Sequence, residues 1–411
     1  MAQNVAQQNV AQQNATFLAL ANWRQAQMEA QNGTTYQLGK TLTFTMPSTG
    51  GWARGIWIKG AVDINLNLTA GTVATSKATV WALFNQIRVK LGSVIHQAHP
   101  YVFELIYRSS NNAGQRFGYG GPSPAPWAIP GGTGPILYGS ANGNTYSSGY
   151  QSIAGDNLWY FTLYIPLQME PDDVSGLVPL GASANELTLE LDPCVSLLGN
   201  DPLKNPIVSL TSGAVATIGT AITSTITAMV DYTDMNSLQG TSNAGIVVPD
   251  PVVSQAYYVR DTEVPLSLYS NYVYAKFEQP YEFARLMAIL VDGYTATQSA
   301  TAGDFANQNL LTGLKLMYDG QNTARQWDQS TGGLVPFYAD QLRKYGNLFR
   351  SGEIMFDFAS GHDPRNPSGQ DLLNAALFTQ ARMGITYESP GTTNFPPYIH
   401  LMGQYLVPQA Y

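Results

Sequence analysis

The run Ile56-Trp57-Ile58-Lys59-Gly60-Ala61-Val62-Asp63-Ile64-Asn65-Leu66-Asn67-Leu68 carries an apolar residue at almost every second position, with Gly60 standing in for one of them. Only a pleated strand sends alternate residues to one face, so this stretch requires a long β-strand with one face in a core. The same period appears where Leu42, Phe44 and Met46 alternate with threonines, and where Ile87, Val89 and Leu91 alternate with Arg88 and Lys90. Further strands are expected at 158–169, 187–191 and 222–235. Residues 239–255 hold Gly240, Gly245, Pro249 and Pro251 and read as a linker. The pattern then resumes, with strands expected at 264–277, 283–291, 310–318, 353–358, 377–387 and 398–407. Asp292-Gly293 makes a turn, and 324–348 should contain short helical turns.

Helical stretches are too few for an α/β fold, and 411 residues exceed what one core usually supports. The expected architecture is all-β: two tandem eight-stranded sandwiches or jelly-roll barrels, with an N-terminal helix and a few short helices. The expected division is an arm and helix at 1–33, a first barrel at 34–238, a linker at 239–255 and a second barrel at 256–411. Pro100 is well placed to open a short helix carrying Val102, Phe103, Leu105 and Ile106. Residues 109–157 are rich in Gly, Pro, Ser, Asn and Tyr and nearly free of charge. So long an insertion in a compact domain usually serves an interaction.

The N-terminus opens on a direct repeat, Asn4-Val5-Ala6-Gln7-Gln8 and then Asn9-Val10-Ala11-Gln12-Gln13, the composition of a flexible arm. From Thr16 to Gln31 the residues favour a helix, with Asn14 or Thr16 as cap and Asn32-Gly33 as stop. On that helix Phe17, Leu20, Ala21, Trp23 and Met28 share one broad arc, with Arg24 among them. Phe17, Leu20, Trp23, Arg24 and Met28 are therefore the candidate contact residues. The arc either packs on the protein's own body or a neighbour, or lies on a membrane surface. Arg24 is the one basic residue before Lys40, which weakens attraction to anionic lipid.

Charged residues are only 12%, against roughly 25% in an average soluble domain. Large, permanently covered surfaces would explain this, and so would a secreted β-protein with a neutral polar surface. A net charge of −8 disfavours direct, extended nucleic-acid binding, which needs a basic stripe. The lone Cys194 leaves no disulfide framework and no multi-cysteine metal site, and reads as a small buried apolar residue near a strand end. No secretory signal and no apolar run of about 18 residues is visible, so the expectation is a chain made, and kept until release, inside a cell. The missing signal and the mid-chain linker also disfavour a membrane β-barrel.

Chemistry is hard to find. Of His96, His99, His362 and His400, only the first two are close in sequence, and they lack a third ligand; all four read as surface or satisfied core residues. Glu170, Asp172 and Asp173 lack the alternating ligands and glycine of a calcium loop. Gly118, Gly120 and Gly121 run into Pro122 rather than a helix start, so they form no phosphate loop. There is no G-x-S-x-G nucleophile elbow. The aromatic stretch 117–150 could stack on sugars, but no carboxylate pair is evident beside it. The sequons at Asn32 and Asn67 mean little without a signal. No catalytic residue, cofactor or metal site is expected.

The strands themselves resemble a known family. Tyr160-Phe161-Thr162-Leu163-Tyr164-Ile165-Pro166-Leu167, then Asp173-Val174-Ser175-Gly176 and Val178-Pro179-Leu180, ending in Leu187-Thr188-Leu189-Glu190-Leu191, is similar to the double jelly-roll major capsid proteins of tectivirus-like, membrane-containing icosahedral phages, the adenovirus-hexon lineage. Gly55-Ile56-Trp57-Ile58-Lys59-Gly60 and the Gln/Ala-rich arm are further points of likeness, and in the second half Leu286–Gly293 and the last strands. The resemblance implies a structural protein, not an enzyme, made in the host cytoplasm and placed in the virion capsid. It implies homotrimers of pseudo-hexagonal outline that tile a shell with neighbouring trimers, minor capsid proteins and penton proteins. The N-terminal helix would face an internal lipid membrane, with no direct contact to nucleic acid. The competing expectation is a monomeric β-sandwich protein that binds or cleaves carbohydrate.

Overall fold

The computed structural model describes residues 12, 16–19, 21–47, 50–68, 72–76, 78–109, 145–147, 158–168, 174, 176–180, 185–209, 214–220, 223–233, 255–265, 272–277, 282–291, 311–318, 322–328, 332–339, 353–357, 373–374, 381–387 and 398–408. The linker, apart from Gln255, and most of the 109–157 insertion lie outside the described residues.

Alternation dictates the strands, and the strands form two bodies wired alike. In the first, one sheet runs Trp23–Gln27, Thr225–Thr233, Trp52–Leu68 and Leu158–Pro166. Its companion runs Leu42–Met46, Leu187–Pro193, Phe84–Leu91 and Ser93–Ala98. The second body has Gln255–Pro265, Tyr398–Pro408, Glu282–Val291 and Glu353–Asp357 in one sheet. Tyr272–Phe277, Ala381–Tyr387, Leu311–Tyr318 and Asn322–Trp327 form the other. Numbering each body's eight main strands in chain order, both show 1-8-3-6 in one sheet and 2-7-4-5 in the other. That is jelly-roll wiring, in which the last strand lies between the first and the third.

The strand Trp52–Leu68 is the longest, at 17 residues. Its first part is flanked on both sides, and its far end pairs with Ala214–Ile218. Ile56, Ile58 and Val62 point into the core, and Gly60 interrupts their row. Directly across the ladder stands Phe161, whose ring fills the space: a Cβ on Gly60 would lie 2.5 Å from it. The glycine is required by that aromatic neighbour rather than by any turn.

The N-terminal expectation needs correcting. Trp23–Gln27 is strand one of the first body, paired in register with Thr233–Met229, and Glu29–Ala30 pairs with Thr45 and Phe44. The helix therefore does not run from Thr16 to Gln31; the described helical residues are 12 and 16–19. The arc of Phe17, Leu20, Trp23, Arg24 and Met28 does not exist as one helix face, and the first body begins before residue 34. Helix propensity is a weak prior for a segment this short. Here a backbone ladder and the burial of Met28 in the first core override it.

Two expected short helices are present, and a third short turn of helix, Thr79–Leu83, was not expected from the sequence. Tyr101–Ser109 follows Pro100, with Val102, Phe103, Leu105 and Ile106 buried. Residues 335–339 are helical, within the region where short turns were expected.

The two bodies share a sheet. Ser93–Ala98 pairs in parallel with Gln255–Pro265, Val259 opposite His96 and Arg260 opposite Gln97. The first body's 2-7-4-5 sheet thus runs on into the second body's 1-8-3-6 sheet. Leu286, Ala288 and Leu290 pack against Leu314, Leu316 and Ile385 in the second core. On the opposite face Met287, Ile289 and Val291 join the first body's core instead. Both faces of this sheet are covered, which is why Arg285–Val291 is buried without interruption.

Candidate functional site: the seam between the bodies

With every second residue of the shared sheet turned towards the first body, the polar groups in those rows must find partners there. The strand Gln255–Pro265 contributes Asp261 and Glu263, Glu353–Asp357 contributes Glu353, and Tyr398–Pro408 contributes Tyr398 and His400. From the first body come His96, His99, Tyr101, Asp201 and Lys204. Most of these are nearly inaccessible to solvent.

His96 uses both ring nitrogens. The Val259 N–H donates to Nδ1 at 3.2 Å, and Nε2 donates to the Pro166 carbonyl at 3.1 Å. His99 repeats the arrangement, accepting from the Tyr101 N–H at 3.1 Å and donating to the Leu203 carbonyl at 2.8 Å. In both rings Nδ1 acts as an acceptor, so the neutral form with its proton on Nε2 is the one that fits. Burial, together with Arg260 beside His96 and His400 beside His99, lowers each imidazole from 6.5 to about 3.

Asp261 ties the two chain segments together. One oxygen accepts from the His99 backbone N–H and lies 2.7 Å from His400 Nε2. Burial raises its pKa, but the contacts with His400 and His99 outweigh that, and the carboxyl sits below its ordinary value. Around it, Tyr101 donates to Glu353 at 2.5 Å and Lys204 lies 2.7 Å from Glu263. Tyr398 donates to the Asp201 carboxylate at 2.9 Å. Burial raises Asp201 despite the Leu203 N–H, Lys204 and Tyr398 around it. Arg260 donates to the Ile95 carbonyl at 2.6 Å, reinforcing the short parallel pairing. These hydrogen bonds fix how the two bodies are joined; His96, His99, His400, Asp201 and Glu353 are buried within them, while Glu263 and Lys204 meet at the solvent edge. Among the described residues no group of three or more His, Cys, Asp or Glu could hold a metal.

The candidate contact residues of the N-terminal segment separate. Phe17 is fully buried among Trp52, Val174 and Leu177, with Leu18 and Trp23 beside it. Met28 is in the first core. Trp23 is half-buried under the Arg54 guanidinium, 4.4 Å from the ring centroid, and Arg54 is held by Asp231 at 2.7 Å. Arg24 is exposed, and Leu20 lies outside the described residues. Cys194 is buried at a strand end, 3.3 Å from the Tyr36 hydroxyl, and burial pushes its thiol up to about 11, which leaves it unreactive. His362 and the acidic residues 170–173 lie outside the described residues.

Reasoning from sequence read the histidines as surface or satisfied core residues without bringing them together, and His96, His99 and His400 are buried; it missed Asp261, Glu263, Glu353 and Asp201. Two signals pointed to them. Arg260-Asp261-Thr262-Glu263 packs three charges into strand-like sequence of a charge-poor chain, and Leu286–Val291 is an apolar run without alternation.

No protein-family model matches this sequence, and no curated protein does. Solved structures do match in fold. The major capsid protein of Sulfolobus turreted icosahedral virus aligns at TM-score 0.57 and 10% identity, over 94% of this chain and 97% of that one. The capsid protein of the virus PBCV-1 aligns at TM-score 0.59 and 13% identity, over 94% of both chains. The faustovirus major capsid protein aligns at 0.51 and 7%, over 94% and 90%. The chain has the double jelly-roll fold of these proteins.

Proposed function

We propose that this chain is the major capsid protein of an icosahedral virus, a structural subunit of the virion shell and not an enzyme. The observation that carries the reading is the full-length fold match: two jelly rolls of identical wiring on a shared sheet, aligned over 94% of the chain with viral capsid proteins. A seam whose buried acids and histidines mostly bond to one another and to backbone suits a building block better than a catalyst. The low charge suits a surface covered by neighbours.

At the finer level, the functional unit is a homotrimer whose six barrels give a pseudo-hexagonal outline. It tiles with neighbouring trimers, minor capsid proteins and penton proteins. The protein is made in the host cytoplasm of a bacterium, and the shell overlies an internal membrane. The barrels divide at the linker 239–255, in keeping with the second body's first strand starting at Gln255. Of the N-terminal contact residues, exposed Arg24 is available to a neighbour or lipid headgroup, while Phe17 and Met28 are engaged by the chain itself.

Light scattering of the purified chain tests the trimer: a mass near three times 44.5 kDa is expected. A clean monomer that binds glycans would overturn the reading in favour of a carbohydrate-directed sandwich. Electron microscopy of producing cells should find this chain in particle shells. Deleting residues 1–15, ahead of buried Phe17, should leave trimers intact and yield particles that fail to assemble or lose lipid.

A further inference from the structure

The seam joins two cores through buried histidines whose surroundings favour the neutral form. Each Nδ1 faces a backbone N–H across the junction or at its edge: Val259 for His96 and Tyr101 for His99. A proton added to either nitrogen sets donor against donor and leaves a charge in a buried site. We propose that this edge of the seam is an acid-released joint: in mildly acidic solution His96 and His99 take up protons, and the pairing of Ser93–Ala98 with Gln255–Pro265 opens. Met287, Ile289 and Met355, packed on the first body's core farther along the sheet, hold the two bodies together while this edge opens.

Every group facing the two rings bears on the sign. His96 meets the Arg260 guanidinium, the edge of the Phe103 ring and the backbone of Pro166 and Ile95; the two backbone contacts raise its pKa, but burial and Arg260 outweigh them. His99 meets His400, Lys204 and the Leu203 carbonyl on one hand and Asp261 on the other. Asp261 is already bonded to His400 and to the His99 backbone, and Glu263 to Lys204. Both histidines titrate lower in the closed seam than in the open one. The closed form is therefore fully favoured above pH 6.5 and loses ground as pH falls from there towards about 3. At about pH 4.5 each ring favours the open form by roughly 100-fold relative to neutral pH.

Hydrogen exchange on the full chain, corrected for intrinsic rates and followed from about pH 7.5 to about pH 4.5, reads the joint directly. Peptides covering 94–103 and 256–262 should exchange at least about 10-fold faster at the acid end. Peptides covering 226–232 and 286–290 should stay protected. The onset should fall just below the ordinary histidine range and be steeper than a one-proton curve. His96→Gln/His99→Gln, which keeps amide hydrogen-bonding groups that do not titrate, should flatten the response. Seam peptides that stay protected at pH 4.5, or a variant that opens at the same pH, would overturn the proposal. If the double variant does not fold, the wild-type profile still decides. An onset only below about pH 4 would assign the change to Asp261, whose carboxyl sits below its ordinary value, and would also overturn it.

Discussion

The strands Phe84–Leu91 and Glu282–Val291 belong to the same continuous sheet, yet they are buried in different ways. In the first, Ile87, Val89 and Leu91 are inside, while Arg88 and Lys90 lie on the outer face and pair with Glu190 and Asp192. In the second, every residue from Arg285 to Val291 is buried. Local geometry does not cause the difference, since both are antiparallel members of a jelly roll. What differs is the cover on the second face, which is solvent in one body and the neighbouring body in the other. Alternation in a strand reports one wet face, and its loss reports a second packed layer. The second body therefore has an obligatory neighbour written into its sheet, and the first body meets that need within the same chain.

The largest test of this contrast is on the doubly covered strand. Ile289→Ala, facing the first body, and Leu290→Ala, facing the second core, should each cost about 2–5 kcal/mol in urea unfolding. A seam that were merely a crystal-like contact between finished domains would leave Ile289→Ala near neutral. A second, smaller effect belongs to the long strand of the first body. Gly60→Ala drives a methyl into the Phe161 ring, since the added carbon would stand 2.5 Å away. The expected loss is about 1–3 kcal/mol, recovered in part by Phe161→Leu. A neutral Gly60→Ala would show that the ring is free to move aside.

Much of this was legible in the residues. Phe44, Ile56, Ile87 and Leu189 each sit in a clean two-residue period, so strand existence and inward face followed directly from the pleat. Pro100 marked its helix for a similar local reason. The segment from Trp23 to Ala30 misled because its Arg, Gln, Ala, Met and Glu content suits a helix, while its real partner, Thr225–Thr233, lies some two hundred positions away. Nothing local in Trp-Arg-Gln-Ala-Gln announces a strand; the ladder imposes one. The seam was obscured for the same reason. Asp261 meets His99 from a distant part of the chain, and single charged residues in strands do not reveal which distant group will neutralise them. The match in fold at about a tenth identity shows that quite different side chains can specify the same wiring.

The first strand offers a subtler comparison, because among the described residues Trp23–Gln27 lies at the edge of its sheet while its counterpart Gln255–Pro265 is flanked on both sides. Trp23→Ala removes the ring stacked on Arg54 and packed beside Phe17, and should cost about 1 kcal/mol. Its clearer signature is faster exchange of residues 23–27 with the rest of the sheet unchanged. Global unfolding at the same concentration of denaturant, with no local loosening, would mean that the strand is held by its ladder alone.

The smallest effect is expected where the first body's sheet is wet. Lys90 reaches Glu190 at 2.5 Å, but both are partly solvated, so Lys90→Ala should cost only about 0.2–1 kcal/mol. Burial raises the Glu190 pKa, yet the hydrogen bonds from Lys90 and Arg88 prevail and leave it below its ordinary value of 4.5. A depressed carboxyl contributes stability above that value and loses it as pH falls through the folded pKa. The difference between wild type and Lys90→Ala should therefore shrink in acid, and also in molar salt as the charges are screened. A loss comparable to that of Ile289→Ala would mean that this outer face is packed rather than wet, and the contrast between the two strands would fail at its solvent-facing side.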